Sequence, residues 1–367
     1  MTLGGKFMRD INTVASSWLL VATLCAGAAG AIAAEPTNSP ASPTEELRYP
    51  GEKHLTHLRQ LTFGGQNAEA YFSFDGKELI FQSTRDDLKC DAIFRMDADG
   101  KNVRQVSSGK GVTTCSFIAP DDQAIIYAST HLAGDQCPPK PDYSQGYVWP
   151  LYEGYDIFRA DPEGGNRVRL TDTPGYDAEG VYSPKGDKII FTSARTGDLE
   201  LFMMNPDGSE VEQLTDQPGY DGGAFFSRDG QWIVWRASRP EGKALADYQS
   251  LLKQGLIRPS QLEIFIMNLE ERKPIQLTDN GAANFGPYWH PDGKHIIFSS
   301  NMHNPKGRNF DLFLINVDTR EIEQITHHPD FDGFPMFSHD GKKLVFASNR
   351  NGKVEGETNV FMVDWRW

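Results

Sequence analysis

Apolar residues in this chain gather in short dense runs, with no helical stripe among them. Six runs stand out: Leu79-Ile80-Phe81, Ile125-Ile126-Tyr127, Ile189-Ile190-Phe191, Ile233-Val234-Trp235, Ile296-Ile297-Phe298 and Leu344-Val345-Phe346. A tight-turn signal precedes each one: Asp75-Gly76, Asp121-Asp122, Lys185-Gly186, Asp229-Gly230, Asp292-Gly293 and Asp340-Gly341. Glycine accepts the positive φ that a two-residue hairpin turn demands, so each signal predicts a strand–turn–strand unit. A further strand follows in every copy, marked by Phe94, Phe158, Phe202, Phe265, Phe313 and Phe361. Apolar side chains on consecutive positions mean that both faces of each small sheet are covered.

The units form a tandem repeat. Each opens on a Leu-Thr-like pair, at Leu61-Thr62, Val106-Ser107, Leu170-Thr171, Leu214-Thr215, Leu277-Thr278 and Ile325-Thr326, spaced 45, 64, 44, 63 and 48 residues apart. The short spacings match the period of propeller blades, and the two long ones carry insertions. A lone strand around Leu55 to Leu61 precedes the first full unit, and the last unit ends after its third strand. The first strand can therefore complete the last sheet and leave no open edge. The expected fold is all-β, a six-bladed β-propeller over residues 53–367 closed by its N-terminal strand.

Residues 1–34 read as a signal peptide. Lys6 and Arg9 give a basic start, Trp18 to Ala29 an apolar run too short for a comfortable membrane span, and Ala31-Ile32-Ala33 a cleavage site. Leu24 stands before Cys25 where a lipoprotein signal needs a small residue. A Pro-rich stretch, 35–52, reads as a disordered linker. The mature chain is then expected to be periplasmic or secreted, with no membrane insertion. Its formal net charge of −14 argues against nucleic acid and anionic membranes as partners. After export Cys90, Cys115 and Cys137 remain, and one bridge plus one free thiol is the simplest outcome. Cys90 and Cys115 come from neighbouring blades, so a bridge between them is feasible, with Cys137 able to compete for either.

Strand order divides the loops between two faces. The Asp-Gly turns share one, where His290 and His339 are expected in structural roles. The blade links share the other with every long insertion: His131–Tyr155, Pro240–Gln261 and Met302–Asp311. Leu245, Tyr248, Leu251 and Leu252 give the middle insertion helical spacing from Lys243 to Leu256, as in a lid. Three insertions on one side predict a wall around the channel mouth. The blade links also carry Glu69, Asp177, Glu179, Asp221 and Asp332, an acidic ring suited to a cation or a basic peptide tip. The competing reading pairs each acid with the recurring Arg85, Arg195, Arg239 or Arg350. His131, His303 and His327 fall on the same face, without the close spacing of a zinc motif. No Gly-x-Ser-x-Gly elbow or phosphate-binding glycine loop is present.

The repeat unit, seen in Gln213-Leu214-Thr215, Ser183-Pro184-Lys185-Gly186 and Ser193-Ala194-Arg195, resembles that of the TolB-type propeller family. The resemblance covers nearly all of residues 54–367, although only a signal and a short linker stand where TolB carries an α/β domain. It implies a binding or scaffold propeller that contacts an envelope protein or polymer through its loop face, expected here as a monomer. The alternative it implies is a polysaccharide lyase or hydrolase resembling oligogalacturonate lyases, whose metal and histidines sit at the channel mouth. No resident cofactor is called for, and a divalent cation at the channel mouth is the alternative the acids leave open.

Overall fold

A computed structural model describes residues 45–144 and 146–367. The proposed signal segment and the Cys25 question lie outside these residues. Six four-stranded antiparallel sheets follow one another along the chain, making a six-bladed β-propeller. The innermost strands are Gln66–Phe72, Thr113–Ile118, Asp177–Tyr182, Asp221–Phe226, Asn284–Trp289 and Asp332–Phe337. The apolar runs form the second strands and the marked phenylalanines sit on the third. Among the described residues no helix is long and apolar enough to cross a membrane.

Closure occurs where the sequence places it. Strand Leu55–Gln60 pairs antiparallel with Asn359–Trp365, with Leu55 opposite Trp365 and Gln60 opposite Phe361, and becomes the outer strand of the last blade. This removes the edge that an open ring would expose.

The Leu-Thr pairs have a structural cause. In all six copies the hydroxyl of the Thr or Ser accepts a third-strand backbone N–H, as Thr215 does from Leu201 at 2.8 Å and Thr62 from Val360 at 2.8 Å. The outer strand thereby bends back onto its blade without a buried amide left unpaired. The turn acids are occupied similarly: Ser227 donates to Asp229 at 2.6 Å and Ser338 to Asp340 at 2.6 Å. Between blades the core is continuous and rich in fully buried aromatics, Phe81, Phe191, Trp235 and Phe298 among them.

One expectation needs correction and one open alternative is decided. The described end of the 35–52 linker is ordered: Glu45–Leu47 forms a short 3-10 turn, Tyr49 packs edge-on against His328 at 5.3 Å, and Glu52 is buried. An ion pair between Glu52 and Arg350 supplies the reason, since a buried carboxylate is held only with its charge answered. The disulfide joins Cys90 to Cys137, not to Cys115, and Cys115 is a free thiol. Cys115 lies on an innermost strand, whereas Cys90 and Cys137 both stand in second-to-third-strand loops.

Candidate site at the channel mouth

Every innermost strand breaks its register near its middle. The bulged residues are Glu69, Cys115, Glu179, Gly223, Gly286 and Phe334, all with φ between 51° and 63°. Left-handed backbone is strained for four of these six, and a bulge re-aims its side chain. All six line one pocket, about 380 Å³ counted to its open mouth. Repetition supplies the geometry of this ring; the residue at each position supplies its chemistry.

Glu179 accepts from Thr192 Oγ1 at 2.7 Å and makes a short ion pair with Arg236 of the next blade. Glu69 has no ion-pair partner among the described residues. Burial, and then the Glu179 charge, push its pKa up to about 7, against the pull of Arg236. Burial also raises the Cys115 thiol well above its ordinary value. Ser116, on the same wall, is 2 % exposed and its hydroxyl has no hydrogen-bond partner. Phe334 faces these groups from a cluster with Phe285 and Phe331, at 5.2 and 6.2 Å. Tyr71 and Phe225 form the floor and pack on Phe117 and Tyr288, with ring centroids 5.2–6.3 Å apart.

The insertions build a cover. Trp149–Pro150 from the first pairs with Leu256–Ile257 from the second, although a whole blade lies between their origins in sequence. Arg236 lies 5.4 Å below the Trp149 ring and 5.4 Å from that of Tyr220. Arg308 of the third insertion lies 5.8 Å over Tyr147 of the first. The helix of the second insertion runs Gly242–Leu252, four residues shorter at its C-terminus than its apolar spacing suggests, and buries Tyr248 in a satellite cluster with Leu151, Leu199 and Ile257. The first two insertions thus meet above Arg236, and the third touches the first at Tyr147.

The acidic ring separates into two sets. Glu69 and Glu179 line the channel. Asp177, Asp221 and Asp332 sit two residues earlier, point into the blades and bind Arg195 at 3.1 Å, Arg239 at 2.7 Å and Arg350 at 2.8 Å. Those guanidinium groups stack in turn on third-strand phenylalanines, Arg195 at 4.9 Å from Phe202 and Arg239 at 5.0 Å from Phe265. His131 takes the arginine position of its blade, 4.3 Å from Phe158. His303 stands 3.7 Å from Asp311 at the start of a third strand. His327 packs against the N-terminal segment, its backbone N–H donating to Glu52 at 3.1 Å. None of the three histidines joins the channel pocket, and among the described residues no group of three His, Cys, Asp or Glu side chains is placed to hold a metal ion.

The fold has known counterparts. No family model matches the chain. A TolB homolog from Chlorobium chlorochromatii is 24 % identical over 173 residues, which are 40 % of this chain and 39 % of that protein. The crystal structure of TolB from Acinetobacter baumannii superposes with a TM-score of 0.55 at 19 % identity, over 82 % of this chain and 64 % of that one. The chain carries a TolB-like propeller. It thus spans less than two thirds of the length of these TolB proteins. An oligogalacturonate lyase in complex with manganese also shares the fold, with a TM-score of 0.50 at 17 % identity over 84 % of this chain and 93 % of that one. At such identities the likeness concerns the propeller, and function must be argued from the site.

Proposed function

We propose that this TolB-like propeller is a binding module of the cell envelope, periplasmic or secreted, that holds a partner protein on its insertion-rich face. A basic side chain of that partner enters the channel mouth between Glu69, Glu179 and Phe334. The observation that carries this reading is the Glu69 carboxyl, without an ion pair among the described residues, in one pocket with Glu179 and with Arg236, over which the insertion residue Trp149 lies. An arginine or lysine would give Glu69 a charge partner and the ring of Phe334 a cation to face. Its apolar stem would lie against the aromatic floor.

Fluorescence titration of the intact chain with Gly-Arg-Gly amide, against Gly-Glu-Gly amide, tests it. Saturable binding of the basic peptide that weakens about tenfold in Glu69→Gln is expected. Equal binding of both peptides, or a response unmoved by Glu69→Gln, removes the proposal. The lyase alternative rests on the fold shared with oligogalacturonate lyase. A uronate polymer is a polyanion, and the channel presents two carboxyls against one arginine, so the site chemistry favours a cation.

A further inference from the structure

The opposite mouth of the channel, ringed by the hairpin turns, holds a second pocket. It has about 470 Å³ of free space when the open solvent at its mouth is included. The residue before the turn signal frames it in five of the six blades. Three blades keep proline there, at Pro120, Pro184 and Pro291, and three depart, with Phe74, Arg228 and His339. A repeat that needs only a turn has no reason to vary in this way. The departures converge in space: Phe74 stacks on the His339 ring at 4.1 Å, and the Phe74, His339 and Arg228 side chains line the same cavity. Its floor is the underside of the aromatic plug, Phe117, Phe225 and Tyr288.

Several polar groups of this cavity lack a partner among the described residues. Arg228 has no hydrogen bond or ion pair among the described residues, and it is the one charged side chain lining the pocket at neutral pH. Burial and the Arg228 charge lower the His339 pKa to about 4, so the ring is neutral at that pH. The Trp289 indole N–H and His339 Nε2 are buried without partners. The nearest turn acids are engaged elsewhere, Asp229 and Asp340 by their own serines and Asp75 by Lys77 at 2.7 Å. Buried donors left unpaired carry a cost that a ligand's acceptor atoms would relieve.

We infer that the turn-face pocket is a binding site for a small aromatic carboxylate, its ring on the Phe117, Phe225 and Tyr288 floor and its carboxylate on Arg228, with the Trp289 and His339 nitrogens as further hydrogen-bond groups. The guanidinium fork matches a carboxylate bidentately, and the apolar floor selects a ring. The site is independent of the channel-mouth reading, because the aromatic plug stands between them.

Isothermal titration of the intact chain with benzoate tests the site, with acetate and benzyl alcohol as probes that keep the charge or the ring alone. Benzoate is expected to bind saturably at one site, and each partial probe at least about tenfold more weakly. Arg228 is exposed, so Arg228→Gln should fold normally and weaken benzoate about tenfold while leaving benzyl alcohol unchanged. Arg228→Lys, which keeps the charge and loses the fork, should fall between, and Glu69→Gln should change nothing. Absence of saturable benzoate binding overturns the assignment. So does benzoate affinity unmoved by Arg228→Gln, acetate binding as tightly as benzoate, or loss of binding in Glu69→Gln.

Discussion

Arg350 of the last blade donates to Glu52 at 3.0 Å, a residue 298 positions earlier in the chain. The same guanidinium reaches Asp332 at 2.8 Å, so one buried cation ties the N-terminal segment to an innermost strand. This ion triad and the strand that follows it, Leu55–Gln60, close the ring together.

Deleting residues 53–62 should therefore lower the melting of the whole propeller, not of one blade. It removes the buried Leu55, Leu58 and Leu61 and reopens a sheet edge. Glu52→Gln is expected to be milder, about 1–3 kcal/mol, since Arg350 retains Asp332. Denaturant unfolding followed by both far-UV dichroism and tryptophan fluorescence checks this. Coincident transitions shifted together are expected; an unchanged midpoint after the deletion would place the closing strand elsewhere.

Blade number, closure and the face of the insertions were legible because each depends on a local pattern copied six times. The two sets of acids were not. Asp177 and Glu179 are two positions apart on one strand, which ordinarily puts them on the same face. The bulge between them changes the direction of Glu179, and no residue type announces a bulge when the bulged position reads Glu, Cys, Glu, Gly, Gly and Phe. Arg236 escaped notice for a similar reason: it lies on the second strand and reaches the channel only because its neighbours across the axis-facing strand are glycines, Gly222 and Gly223. The pairing of Cys90 with Cys137 depends on how a long loop folds back, which strand periodicity leaves undetermined.

Asp177→Asn and Asp221→Asn are expected to act on stability. Each removes a buried carboxylate charge from a half-buried guanidinium, and together they should cost about 2–5 kcal/mol. Thermal unfolding measures the loss, while Gly-Arg-Gly amide binding below the transition should persist. Loss of peptide binding with unchanged melting would return these aspartates to the binding site.

Glu69 should leave a signature in the pH dependence of stability. Its folded pKa of about 7 exceeds the ordinary carboxyl value of 4.5. Between these values the native state keeps a proton that the unfolded chain has released, so stability falls as pH rises through that window and levels off above it. Glu69→Gln should lessen this slope, to which Glu200 and Asp311 with their similarly raised pKa values also contribute, and stabilise the protein above pH 7 by as much as about 3 kcal/mol. Basic peptide binding should run the other way and strengthen as pH rises through about 7. Parallel denaturation curves for wild type and variant across this range would contradict the assignment of Glu69.

Thiol chemistry separates the cysteines. The folded, oxidised protein should react poorly with a thiol reagent, because the half-buried Cys115 holds its proton. Denaturation should release one titratable thiol from the mature chain. The Cys90–Cys137 bridge closes a loop 47 residues apart in sequence, a cross-link that can contribute up to about 4 kcal/mol in the chain-entropy model. Joint replacement of both by serine should loosen the first insertion and weaken peptide binding while the blades persist. Rapid labelling of one thiol in the native state would show that Cys115 is accessible.

The strongest test of the loop face is removal of its cover. Replacing Pro240–Gln261 with a short Gly-Ser bridge deletes the helix Gly242–Leu252 and the strand that pairs with Trp149–Pro150. The helix packs into a small satellite cluster, separate from the blade core, so the six sheets should survive with a modest fall in melting temperature. Long surface segments are shortened at little entropic cost. Binding should suffer far more: without this insertion Trp149 loses its pairing strand, and the Glu179–Arg236 pair beneath it gains access to water, which weakens every charge interaction in the mouth. Charge reversals at Asp229 and Asp292 on the turn face serve as the comparison, since these acids serve their own hairpins. Gly-Arg-Gly amide titration of both sets decides between the faces. Loss of binding in the insertion variant with retention in the reversals is expected; retention in the first and loss in the second would mean that the basic peptide enters from the other side of the disc.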